Sequence, residues 1–446
     1  MQRLNQVPAT RYEFFTALAE SELLSVYQFA KADGIVPESV ESARESAQLL
    51  VGAKMLTPFQ SERLLAGRSD GFLLGQHVIQ EQVGKGSVGR VYRATHRTMN
   101  RTVAIKVMSA DVTRTGTARQ NFQREVRAAA KLNHPNIITA YDANEVGDRF
   151  YLVLEFVDGP TLDALVRQRG PLPWPEACEL VRQVALGLQH AHEHGMVHRD
   201  IKPANLLVAR TSAGGCVVKI ADFGIAKFTP PTRTSSPGAN LTGTPDYISP
   251  EQAHHPHLVD HRADLYSLGC VLYFLLAGRP PFPDGTTEEK VRRHVHEMPA
   301  PILQLRPDVP PPVAELLARL LAKNPNHRPP TAAEVAARLD ALVAGFDSGR
   351  IEFDLPAVFG QHSVASGLTG ASAAETSPWS QLTDEMVAAV DTSSALENTP
   401  FTPPMTRRRR QAPRRGLPAG IVLALCASIA TACLLGLGLL IKLAGK

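Results

Sequence analysis

The 446-residue chain predicts an α+β protein whose strands are gathered in one short region. Three observations carry that prediction. Residues 1–75 hold apolar side chains at helical spacing, and from Gly75 short β-branched runs alternate with turn residues. Beyond Gly159 the pattern is mainly helical as far as about Val343. A polar linker and an uncharged apolar run, Leu417 to Ile441, then predict a single transmembrane helix at the end.

Taken in order, TRYEFFTALAESELLSVYQFAKADG predicts a helical stretch that stops at Asp33-Gly34. Pro37 opens a second through Leu49-Leu50, and Thr57 to Gly67 has a capping-type start and a glycine end. These make a small helical module, residues 1–75. QHVIQEQVGKG, GRVYRATHR and RTVAIKVMSA predict an antiparallel sheet, followed by a helix over Ala118 to Leu132 and two strands within ITAYDANEVGDRFYLVLEFV. Residues 76–342 form the next domain. Residues 343–416 are rich in Ser, Thr, Pro and Ala, which predicts a disordered low-complexity linker.

The apolar and charged fractions, 44% and 20%, are those of a folded protein. Net charge is +4, but it becomes −2 without the six arginines between Arg407 and Arg415. So local a surplus argues against a general nucleic-acid binder. It abuts the 25-residue span 417–441, where it meets anionic lipid head groups and holds the upstream chain in the cytoplasm, with the C-terminus outside. MQRLNQVPATRYEFF has no signal-peptide core. Cys178, Cys216, Cys270, Cys426 and Cys433 show neither a CxxC nor a paired spacing, which predicts reduced thiols and no zinc site.

The chemistry-bearing motifs come in a fixed order. VGKGSVGRV holds Gly84, Gly86 and Gly89, and because Arg90 to Ala94 continue as a strand, the glycines sit in a hairpin and not in the strand-to-helix turn of a dinucleotide fold. VAIK ends at Lys106, and NFQREV puts Glu125 on the next helix. HRDIKPAN contains Asp200, Lys202 and Asn205, ADFG contains Asp222, GTPDYISPE ends at Glu251, and DLYSLG begins at Asp264. In this order the motifs resemble the bacterial serine/threonine branch of the eukaryotic-like (Hanks-type) protein kinases, over about residues 76–342.

The resemblance implies a bilobal protein kinase fold, with a small antiparallel β lobe plus one helix and a larger helical lobe. It also implies an ATP-dependent phosphotransferase acting on Ser and Thr hydroxyls of protein substrates, with Mg²⁺, or Mn²⁺ in its place, as cofactor. The nucleotide would be held by Gly84, Lys85, Gly86, Ser87, Val88, Gly89, Val91, Ala104 and Lys106, and by the hinge Glu155 to Val157 with Leu154 as gatekeeper. Lys106 would be positioned by Glu125. Asn205 and Asp222 would ligate the metal, Asp200 would deprotonate the substrate hydroxyl, and Lys202 would neutralise the γ-phosphate. Thr244 would meet Asp200 and Lys202, Glu251 would pair with Arg328, and Asp264 would brace the catalytic loop.

On this reading HAHEHGMVHRD is no metal site. His190, His192 and His194 end a helix broken by Gly195 and are solvated or satisfied by backbone, while His198 packs inside the loop. Arg199 would receive a phosphorylated residue of the following segment, where Thr242 is the first candidate, then Thr234, Ser235, Ser236, Thr232 and Thr229. Val88 at the tip of the glycine loop and Ser249 in the APE position depart from the family pattern without removing a catalytic group. A catalytically silent pseudokinase scaffold is the other class of function, and the full set Lys106, Glu125, Asp200, Asn205 and Asp222 argues against it. Ala424, Ser428, Ala432 and Gly436, at four-residue steps in the span, permit close helix packing and hence a homodimer.

Overall fold

The computed structural model describes residues 7–86, 89–109, 120, 124, 126–146, 149–211, 215–223, 245–254 and 259–344. The first helical stretch is two helices, α1 (Arg11–Glu20) and α2 (Val26–Ile35), and not one. The break has a local cause: Ser25 caps α2 in a reciprocal capping box with Gln28, and Glu22 takes a left-handed φ of 52° between the helices. Helix α3 (Ala43–Gly52) starts after Ser42, whose hydroxyl accepts from Glu45 N–H, and not at Pro37, which lies in a turn closed by Val40 N–H donating to Pro37 O. Helix α4 (Pro58–Leu65) is capped by Thr57 as expected. Phe14, Phe15, Leu18, Ala47, Leu50, Leu64 and Phe72 close a separate small core.

Strands β1 (Leu73–Leu74), β2 (His77–Gly86), β3 (Gly89–His96), β4 (Arg101–Met108), β5 (Ala140–Val146) and β6 (Arg149–Glu155) form one antiparallel sheet in the order β1-β2-β3-β4-β6-β5. The two-residue period splits it into two faces. Leu74, Ile79, Ala94, Val103, Ile105, Val107, Tyr151 and Val153 pack on the outer face, together with Phe59 of α4 and Tyr92. Met108, Phe150 and Leu152 pack on the inner face with Val126 and Leu154. Residues 126–129 are helical, within the helix expected there.

The larger lobe contains α5 (Leu162–Arg169), α6 (Trp174–Glu193), the hairpin β7 (Leu206–Arg210) and β8 (Cys216–Ile220), α7 (Pro250–His254), α8 (Arg262–Ala277), α9 (Thr287–His296), α10 (Ile302–Leu305), α11 (Pro311–Leu320) and α12 (Ala332–Ala344). Helix α8 is apolar nearly all round and is the central buried helix, with α6 against one side and α11 against another. Close approach to α11 requires Gly269, where a Cβ would press on Leu320. The Cys178 and Cys270 thiols are buried, and desolvation raises their pKa values, that of Cys178 to about 12. Among the described residues no helix is long and apolar enough to cross a membrane. The expected linker, arginine run and span lie outside those residues, apart from the first two residues assigned to the linker.

The expected pair of Glu251 and Arg328 forms, with Arg328 Nη1 2.6 Å from Glu251 Oε1 and Nη2 2.9 Å from Oε2. Arg328 is buried and also donates to the carbonyls of Ala322, Arg262 and Lys323. Removing one partner of such a pair leaves the other uncompensated in the interior. Arg328→Met is therefore expected to destabilise the larger lobe by about 3–5 kcal/mol, read as a fall in the urea midpoint. A midpoint equal to the parent's would mean that the pair carries no net stability.

Candidate functional site

The site is built around a loop that leaves α6. His194 caps that helix and Gly195, with φ 72°, turns the chain out of it, as the sequence predicts. Asp264, in the first turn of α8, is fully buried. Its carboxylate accepts from His198 N–H at 2.8 Å, Arg199 N–H at 2.7 Å and His192 Nε2 at 2.9 Å. Burial alone would raise the pKa of this group. The bonds and charges of His192 and His198 outweigh burial and hold it below its ordinary value of 3.8. Arg199 has a left-handed φ of 63°, a conformation that costs about 1–3 kcal/mol for a residue with a Cβ. Bonds at both ends of the residue hold it there, since Gln252 donates to Arg199 O at 2.8 Å.

Beyond Arg199 three of the expected site side chains converge. Lys202 Nζ lies 2.9 Å from Asp200 Oδ2, and Asn205 Nδ2 donates to the same oxygen at 3.1 Å and to Asp200 O at 2.8 Å. Asn205 sits in a single 3₁₀ turn, Pro203–Asn205, and its carbonyl accepts from Ala221 N–H at 2.9 Å, which brings Asp222 alongside. His198 links the same two segments, since its Nε2 donates to Ala221 O at 2.8 Å while its Nδ1 accepts from Asp200 N–H at 3.2 Å. Its ring packs edge-on against Phe223. Asp222, like Arg199, has φ 63°.

The small lobe contributes from the inner face of the sheet. Val91 pairs with Lys106 across β3 and β4, and Ala104 pairs with Leu154 across β4 and β6, so alternation puts all four on one face. Lys106, only 5% exposed, reaches across to Asp222 Oδ1 at 2.7 Å and joins the two lobes. The glycine segment is a hairpin as expected, with Gly84 opposite Val91 and Gly86 opposite Gly89. Gly89 is obligatory for packing, because a Cβ there would collide with the Val107 carbonyl. At the expected hinge, the Glu155 carboxylate is taken by Lys219 Nζ at 2.8 Å and Thr139 N–H at 3.1 Å, and Glu155 N–H donates to Thr139 O at 2.8 Å.

Glu125, Ser87, Val88, Thr244 and the phosphosite candidates Thr229, Thr232, Thr234, Ser235, Ser236 and Thr242 lie outside the described residues. Sequence reasoning missed two supports. His192 is not solvated or held by backbone but bonded to the buried Asp264, and Gln252 holds the strained Arg199 carbonyl. The only trace of the first is the three-residue step from His192 to Gly195, which keeps the histidine on the last helical turn. His194 Nδ1 meets the His190 carbonyl, and the rings of His134 and His190 stack while those of His190 and His194 lie tilted against each other.

The protein kinase domain family matches residues 77–338. The serine/threonine-protein kinase PknB of Mycolicibacterium smegmatis is 40% identical over 272 residues, 60% of this chain and 43% of that protein. Serine/threonine-protein kinase pkn3 of Myxococcus xanthus is 36% identical over 273 residues, 59% of this chain and 49% of that one. The match thus spans less than half the length of either relative. Among solved structures, a double mutant of the Mycobacterium tuberculosis PknI kinase domain is similar at TM-score 0.50 and 27% identity, over 61% of this chain and 98% of its own. Rad53 in complex with AMP-PNP is similar at TM-score 0.50 and 28% identity, over 59% and 64%.

A carboxyl held below its ordinary pKa stabilises the fold fully above the ordinary value and loses that contribution as the pH falls through the depressed one. The urea midpoints of the parent and Asp264→Asn should therefore differ by a constant amount from pH 7 down to about pH 5. Below the ordinary value of 3.8 the two should converge. A gap that closed between pH 7 and about pH 5 would contradict a depressed Asp264.

Proposed function

For this chain, which belongs to the protein kinase family, we propose the activity of a serine/threonine protein kinase that transfers the γ-phosphate of ATP to protein hydroxyls. The observation that carries the reading is the ion pair of Lys106 with Asp222 across the lobes, beside the cluster of Asp200, Lys202 and Asn205. Catalysis of this transfer is mostly positioning and neutralisation of charge. The inner face of Val91, Ala104 and Leu154 binds the adenine, and Lys106 aligns the phosphates with Glu125 as its further support. Gly84 to Gly89 bring backbone close to the phosphates. Asp200, oriented by Lys202 and Asn205, takes the proton of the Ser or Thr hydroxyl as its oxygen bonds the γ-phosphorus and the bond to ADP breaks. Lys202 offsets the charge of the moving phosphate.

Asp222 and Asn205 are the fitting ligands for Mg²⁺, since both offer hard oxygen donors and the Ala221 N–H bond to Asn205 O keeps their segments adjacent. The Asn205 amide nitrogen is committed to Asp200, which leaves its oxygen as the atom to turn toward a cation. When bound, the cation neutralises phosphate charge. A lysine two residues beyond Asp200 supports hydroxyl substrates of the Ser/Thr type by resemblance, and the segment of Thr229 to Thr242 is a substrate of the same site. The apolar run 417–441 behind Arg407 to Arg415 anchors the kinase to a membrane with its catalytic domain in the cytoplasm, and the small-residue stripe of the span supports a homodimer.

Given Mg²⁺ and ATP, the full chain should label itself on Ser or Thr of residues 229–242, as read by mass spectrometry. Asp200→Asn should label about 10²- to 10⁴-fold more slowly. Equal rates for the two would sink the assignment of Asp200 as base, and silence from both with ATP bound would favour the scaffold. Removal of residues 417–446 should move the protein from the membrane pellet to the supernatant, and retention in the pellet would count against the anchor.

A further inference from the structure

The helical module does more than precede the kinase domain in sequence. Strand β2 carries a bulge: Ile79 faces Ala94 and Glu81 faces Arg93, so Gln80 has no partner on β3. The carbonyls at this irregular point are taken by the module. Gln60 Nε2 donates to Ile79 O at 2.7 Å, and Thr57 Oγ1 donates to Gln80 O at 2.5 Å. The same two side chains form the capping box of α4, where Gln60 Oε1 accepts from Thr57 N–H at 2.9 Å and Thr57 Oγ1 accepts from Gln60 N–H at 3.2 Å. Each side chain therefore uses its acceptor on its own helix and its donor on the kinase sheet. Gln60 is 5% exposed, so its bond is made out of water. Phe59 between them lies against Tyr92 on the outer face of the sheet.

Two routes lead from this bulge toward the nucleotide. Along the strand, only Glu81, Gln82 and Val83 separate Gln80 from Gly84, where the phosphate hairpin begins after a second irregularity between Gln82 and Gly84. Across the sheet, Glu81 pairs with Arg93 at 2.6 Å, and the Arg93 guanidinium lies 6.0 Å from the ring centre of Phe156, in the hinge. We propose that Thr57 and Gln60 are positioning residues for ATP: by holding the Gln80 bulge they set the phosphate hairpin and hinge in their nucleotide-binding geometry. The inference rests on the kinase reading above.

The test separates the donors from the caps. Gln60→Glu and Thr57→Asp keep the oxygen that caps α4 and lose the hydrogen that reaches β2, whereas Thr57→Ser keeps both. In the full chain, KM for ATP and Kd for Mg²⁺–AMP-PNP should each rise about 3- to 10-fold in Gln60→Glu and in Thr57→Asp, the equivalent of one lost hydrogen bond. Turnover at saturating ATP should stay within about twofold, as expected when only ground-state binding is lost. Thr57→Ser should match the parent. The two donors serve neighbouring carbonyls from separate side chains, so either folded variant suffices. Folded variants with parental KM and Kd would overturn the inference and leave the kinase reading intact. A fall of turnover in step with melting temperature, at unchanged KM, would reduce the contact to a structural one and overturn it as well. A parent that neither binds Mg²⁺–AMP-PNP nor transfers phosphate would overturn the kinase reading, and the inference with it.

Discussion

A buried carboxylate without partners is among the least tolerable groups in a protein interior, and Asp264 is tolerable because the loop it supports supplies its hydrogen bonds. The dependence is mutual. The carboxylate needs the N–H groups of His198 and Arg199, and those two residues keep their conformation, including the left-handed backbone of Arg199, because the carboxylate is fixed on the buried helix α8. His192, on the last turn of α6, completes the arrangement and ties the loop's entry to its floor. The orientation of Asp200, Lys202 and Asn205 follows from this point.

The second structural dependence runs between the lobes. Lys106 is held on the inner face of the sheet among Val91, Ala104 and Leu152, which offer its ammonium no partner, and Asp222 presents a carboxylate from a backbone conformation that His198 and Asn205 stabilise through Ala221. One face of that sheet is thereby committed to the site, and the other needs a cover. The helical module supplies it with Phe59, and satisfies the bulged carbonyls of β2 with the donors of Thr57 and Gln60. A bulge is the place where a strand's own ladder leaves a carbonyl available, which is why an outside element can take hold there.

Most of the candidate site was legible because its chemistry restricts residue type at set positions along the chain. Glycines that admit close backbone approach, a lysine at the end of a β-branched strand, an aspartate with lysine and asparagine two and five residues on, and a second aspartate before Phe-Gly are local patterns. Short β-branched runs between turn residues likewise disclosed the antiparallel sheet, while its two faces came from the strand register. Local signals failed where two readings were equally compatible with them. Residues 10–35 carry one continuous apolar pattern, and the break at 21–25 depends on a capping box whose Ser and Gln look like ordinary helix surface.

By itself, then, the sequence determined the order of elements, the residue types of the candidate site, and an apolar run beside a basic one, since each depends on neighbours within a few turns or strands. Only the tertiary structure decided that His192 meets Asp264 across 72 residues, that Gln252 restrains Arg199, and that Thr57 and Gln60 reach β2. Those pairings connect segments far apart in the chain. For the buried Asp264 and Gln60 a partner is required once the core has closed, and for all of these pairings which partner lies within reach is set by packing and not by spacing along the sequence.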